Sequence, residues 1–160
     1  MKIMVIFDSA FGNTEKIARS IADAFGLSEE VEIFRVTEVS PQQLNGIDLL
    51  IVGSPTQGFR PLPSIQNFLD KIPSSALQGI KVAAFDTRIG GKGAGTAGRF
   101  VARLGGYAAP RLAGVLKKKG GNLISEPEGF VVSDSKGPLG QGETERAATW
   151  AKAILENLKS

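Results

Sequence analysis

Residues Ile3 to Phe7 form an unbroken apolar run that stops at Asp8 and Ser9, the pattern of a strand buried on both faces. The period then changes: Ile17, Ala18, Ile21, Ala22 and Phe25 fall on one helical face, and Gly26 stands where a helix-ending glycine belongs. The alternation continues with a strand from Val31 to Val36, a short turn or helix around Ser40 to Leu44, and a fully apolar strand from Leu49 to Val52. Ile65, Phe68, Leu69 and Ile72 predict a helix, and Ile80 to Phe85 a further strand. Thr96 to Lys119 reads as helical but broken at Gly105 and Gly106, with Pro110 opening the second half. Residues 122–124 and 129–132 are short strand candidates. The last helix carries Ala147, Trp150, Ala151, Ile154, Leu155 and Leu158 on one face, with Trp150 read as core.

Strands alternating with helices imply right-handed crossovers, so the expected architecture is α/β: a doubly wound, mainly parallel five-stranded sheet covered on both sides. A chain of 160 residues with 42% hydrophobic content suits one domain over residues 1–160. Ligands of such sheets sit beyond the carboxyl ends of the strands. The loops 8–14, 54–63 and 86–98 are therefore expected to converge on one site.

Composition narrows the chemistry. With no Cys and no His, the usual zinc sites, iron–sulfur clusters, disulfides and Cys-His or Ser-His-Asp catalysis are excluded. Redox chemistry must come from a borrowed cofactor, and neither a catalytic residue nor a metal ligand is assigned. The apolar N-terminus is too short for a signal peptide, and no apolar stretch reaches membrane-spanning length, so a soluble cytoplasmic protein without a membrane partner is expected. Net charge is +3 and the pI about 9.3, compatible with an anionic ligand. Lys117 to Lys119 close a predicted helix, where cations complement its dipole. No aromatics interleave with them as a nucleic-acid platform requires.

The first loop, Asp8-Ser9-Ala10-Phe11-Gly12-Asn13-Thr14-Glu15, joins a buried strand to a helix, so unpaired backbone N–H groups face its mouth. Ser9 and Thr14 add hydroxyls, Asn13 an amide, and Gly12 close backbone approach. This suits a phosphate, the alternative being simple capping. Here the chain resembles the flavodoxin family, whose phosphate loop often ends Gly-Asn-Thr-Glu, as Gly12 to Glu15 do; Phe11 replaces a family threonine, and an aromatic there is similar to flavodoxin-like quinone reductases. The resemblance implies strand order 2-1-3-4-5, with a crevice between the first and third strands, flavodoxins being a type example of that rule. It also implies non-covalent FMN.

The second loop, Gly53 to Pro63, is too proline-rich to be helical. The resemblance implies that Pro55, Thr56, Gln57, Gly58 and Phe59 border the flavin. Phe59 either packs on its ring or wedges into core beside Leu62. It further implies that the peptide beside Gly58 turns its carbonyl toward flavin N5 on reduction, stabilising the neutral radical. At the third loop, Asp86, Thr87 and Arg88 stand where the family contacts the pyrimidine edge. Thr87 is a hydrogen-bonding candidate, and Arg88 is either a charge near N1 or a solvated surface residue. The family's usual tyrosine is missing from residues 86 to 96, Tyr107 being the nearest.

Two other motifs are set aside. Gly93-Ala94-Gly95-Thr96-Ala97-Gly98 spells a dinucleotide fingerprint, but it does not directly follow a strand, and lysines replace the acidic residue expected further on. A phospho-receiver needs an acidic cluster at the first strand's end and an Asp at the third; only Asp8 is present, and the third ends Val52-Gly53-Ser54. The expectation is an FMN-binding electron-transfer protein cycling between oxidised, semiquinone and hydroquinone states. The alternative is an NAD(P)H-dependent quinone reductase, favoured by Phe11, Arg60 and Arg88. The partner is a redox protein or small-molecule acceptor, with oligomeric state left open. Electron-shuttling flavodoxins are usually acidic and steer to basic partners, so a basic chain implies a different partner.

Overall fold

The computed structural model describes residues 1–90 and 106–160. The Gly93–Gly98 cluster and the first half of the helix expected over 96–119 lie outside the described residues. The elements run β1 (Lys2–Phe7), α1 (Asn13–Ala24), β2 (Glu30–Arg35), β3 (Leu49–Pro55), α2 (Pro63–Lys71), β4 (Lys81–Ile89), α3 (Ala108–Lys118), β5 (Asn122–Leu123), β6 (Glu128–Val132) and α4 (Glu143–Lys159), with 3-10 turns at Val36–Glu38 and Pro41–Leu44.

The strands pair in parallel in the order β2-β1-β3-β4-β5, with β6 also on β4. The expected doubly wound 2-1-3-4-5 sheet is what forms, with two refinements. The fifth position is shared: β5 pairs with Lys81 and Val82, and β6 with Phe85 to Ile89. Pro127, which has no N–H to give a ladder, falls in the break between them. Strand β4 also runs on from Phe85 to Ile89. Periodicity ends it at Asp86 because carboxylates are seldom buried unpaired; here Arg88, two residues on and on the same face, supplies the partner. Helix α3 opens at Ala108, so Pro110 sits in its first turn, where no intrahelical N–H bond is lost.

Alternate residues of the central strands feed two cores. Met4, Ile6, Leu50, Val52, Val82 and Ala84 pack with α2 and α3, and Ile3, Val5, Phe7, Leu49, Ile51 and Phe85 with α1 and α4. Trp150 belongs to the second core, edge-on to Phe85 and Phe130 at 6.3 and 6.1 Å, with its N–H donated to Ser125 Oγ. No helix among the described residues is long and apolar enough to cross a membrane. The order of strands reverses at β1 and β3, which opens a crevice at their carboxyl ends.

Candidate functional site

The first loop leaves β1 at Asp8 and enters α1 through Gly12, whose φ of 93° is a left-handed value that glycine adopts at no steric cost. Lys16 N–H donates to Gly12 O as the first helical rung, leaving the N–H groups of Asn13, Thr14 and Glu15 without an intrahelical acceptor. Ala10 and Phe11 N–H likewise have no acceptor among the described residues. Ser9 Oγ accepts from Gly12 N–H at 2.9 Å, which keeps its own proton available. Thr14 and Thr87 share a hydroxyl–hydroxyl bond of 2.8 Å, using one of their two protons and tying the loop to β4.

The Asp8 carboxylate beside these free N–H groups is paired with Arg35. The guanidinium donates to Asp8 Oδ1 at 2.7 Å and reaches Ser9 O and Glu15 Oε1, while Ser64 also donates to Asp8. Arg35 arrives from the end of β2, in register with Phe7. Motif reading misses it because only strand pairing, a long-range event, brings it to the loop.

The second loop closes as a two-residue hairpin. Gln57 and Arg60 exchange N–H···O bonds of 2.9 and 3.1 Å, and both residues between them have positive φ, Gly58 at 55° and Phe59 at 64°, as a type I′ turn requires. A left-handed phenylalanine stores roughly 1–2 kcal/mol of strain. Thr56 N–H to Thr87 O, and Leu62 N–H to Ser54 Oγ, both 2.9 Å, fix the turn's base to the sheet. Phe59 is 55% exposed, so it is not the core wedge beside Leu62.

At the end of β4, Asp86 is fully buried. Arg88 grips both its oxygens at 2.7 Å, and Ala109 N–H donates to it at 2.8 Å, pinning the start of α3. Burial pushes the Asp86 carboxyl above the ordinary carboxylate range, and the Arg88 fork and the Ala109 amide pull against that. The guanidinium stacks on Tyr107, 3.7 Å from the ring centre. A Cβ at Gly129 would overlap the Arg88 guanidinium, so glycine there gives it space. Arg88 is thus neither a free charge nor a solvated surface side chain; its charge is matched inside the protein.

The first two loops and the end of β4 line a cavity of about 310 Å³, at the lower end of the range for small-molecule sites. Ser9, Ala10, Phe11, Asn13, Thr14, Pro55, Thr56, Gln57, Gly58, Thr87 and Arg88 all line it. Three expected residues do not: Gly12 shapes the helix entry, Phe59 projects from the turn tip, and Asp86 lies beneath as a buried anchor. Ile89, Val132 and Ser135 line it without having been expected, since they depend on the extension of β4 and its pairing with β6. Asn13 donates its amide to Lys136 O at 3.2 Å, which brings the loop after β6 alongside. Phe11 and Ile89, both exposed and apolar, stand in the lining of this cavity.

A neutral cradle of N–H and hydroxyl donors beside an apolar-rimmed slot fits a phosphate ester carrying a flat aromatic ring. Comparison with known proteins agrees. The family model described as Flavodoxin matches residues 5–156. A flavodoxin from Picosynechococcus is 47% identical over 55 residues, 34% of this chain and 32% of its own. A flavodoxin from Maridesulfovibrio salexigens is 35% identical over 89 residues, covering 52% of this chain and 61% of its own. The alignments thus span from about a third to three fifths of these relatives' length. The crystal structure of oxidised Flavodoxin 1 from Bacillus cereus superposes with a TM-score of 0.77 at 20% identity over 98% of both chains, a likeness of fold. With the family model extending over nearly its whole length, the chain belongs to the flavodoxin family.

Proposed function

We propose that the protein binds one FMN non-covalently in this cavity and passes electrons to a redox partner protein. The observation that carries the reading is the uncharged donor cradle at the start of α1, opening onto a slot edged by the exposed Phe11 and Ile89. Bound FMN supplies the one-electron chemistry. The chain's own residues do the rest. The amides of Ala10, Phe11, Asn13 and Thr14, with the Ser9 and Thr14 hydroxyls, hold the phosphate by hydrogen bonds, and Arg35 keeps Asp8 from repelling it. Phe11 and Phe59 cover apolar ring surface and keep water from it. Gly58 holds a turn whose peptide is free to reorient, because glycine alone moves between the signs of φ at little cost. Thr87 orients Thr14, and the Asp86–Arg88 pair holds the floor of the site in place.

A nicotinamide-dependent quinone reductase is not favoured: Arg88, one of the cations that reading needs for a nucleotide phosphate, is already bonded through two nitrogens to Asp86. Titrating flavin-free protein with FMN while following flavin fluorescence tests the proposal. Stoichiometric quenching that riboflavin without phosphate reproduces only weakly is expected; equal affinity for both flavins refutes the cradle.

A further inference from the structure

A second cleft of about 170 Å³ lies between α2 and α3, on the far side of the Gln57–Arg60 turn from the flavin cavity. Its floor is apolar, from Pro61, Leu112 and Val115, and Arg60 and Arg111 stand at its margin against the single carboxylate of Asp70. None of these three charged groups has an ion-pair partner among the described residues. The surroundings continue the same sign. The exposed positions of α3 include Arg111, Gly114, Lys117 and Lys118, and the helix carries no acidic residue.

We infer that this cleft docks a carboxylate-bearing segment of an acidic redox protein, which brings that partner against the turn carrying Gly58 and Phe59. The inference rests on the electron-transfer reading above and adds the surface and the partner's charge. An apolar floor with two guanidinium groups at its edge fits the stem and head of an acidic side chain, and arginine is suited to bind a carboxylate through two nitrogens. Net charge alone does not explain such docking. FMN's phosphate removes about two of the three positive charges, so attraction must come from a local field.

The test is titration of the nitrogen-15-labelled, FMN-loaded protein with an acidic plant-type [2Fe–2S] ferredoxin as probe, followed by amide chemical shifts. Shifts are expected at Arg60, Arg111 and Val115. Arg60→Gln or Arg111→Gln is expected to weaken the affinity roughly threefold or more, Asp70→Asn to tighten it, and added salt to weaken it. Lys152→Gln, on the remote α1–α4 groove, removes the same charge and is expected to change little. Shifts centred elsewhere, no binding, or an equal loss in Lys152→Gln overturn the inference. The titration repeated on flavin-free protein reads the docking face without the cofactor, so a failure to bind FMN, seen by fluorescence, is distinguished from a failure to dock.

Discussion

Replacing Arg88 with alanine strips the buried Asp86 carboxylate of its bidentate partner and leaves it with the Ala109 amide and the Thr56 hydroxyl. Breaking a fully buried pair by removing one member costs roughly 3–5 kcal/mol. The Arg88 side chain is 20% exposed and Asp86 not at all, so water relieves part of this, and a loss of roughly 2–4 kcal/mol at neutral pH is expected. The pH dependence carries the sharper signature. Burial already holds the Asp86 carboxyl above the ordinary range against the pull of Arg88, and the substitution raises it further. A carboxyl that keeps its proton more tightly in the folded chain makes stability fall as pH climbs from its unfolded value, about 3.9, to its folded one. Urea unfolding of the variant and the parent across that window should therefore show a gap that widens with rising pH. Slopes against denaturant should stay equal. In the double variant Asp86→Asn with Arg88→Ala, much of the loss should return. A loss under about 1 kcal/mol, or a gap that widens toward acid, refutes the claim that Arg88 serves mainly to neutralise Asp86.

Ser9→Ala removes a hydroxyl from the proposed cradle and should weaken FMN binding about tenfold, the worth of one hydrogen bond to a charged group, while the Gly12 N–H, left without its acceptor, lowers apoprotein stability by about 1 kcal/mol; fluorescence titration and urea unfolding measure the two. Phe59→Asn should move two assays in opposite directions: apoprotein stability up by about 0.5–1 kcal/mol, because asparagine tolerates the left-handed region, and FMN affinity down through loss of aromatic cover. Glu143 is held below the usual carboxylate range chiefly by Arg146, and it also accepts the Val131 N–H at 2.6 Å, which fastens α4 to β6. Glu143→Gln should cost about 1 kcal/mol at neutral pH, and the difference should vanish as pH falls through the depressed folded value, as read by thermal unfolding in acid and at neutrality.

The apolar periods of Ile3–Phe7, Leu49–Val52 and Ile17–Phe25 were enough to specify the alternating strands and helices, because burial on two faces or along one stripe is a local property of the pattern. The free N–H groups at the start of α1 are legible for the same reason: a strand that turns directly into a helix presents them whatever surrounds it. Pairing decided the rest. Arg35 neutralises Asp8 only because β2 lies beside β1. Asp86 is a buried anchor, and not a rim residue, because β6 extends β4 beyond it and Gly129 leaves room for Arg88. Tyr107, nineteen positions after Arg88 in the sequence, meets its guanidinium because the Asp86–Ala109 bond fixes where α3 begins. Charges and rings placed by contacts remote in sequence leave no period to read, and only the assembled sheet sets their neighbours.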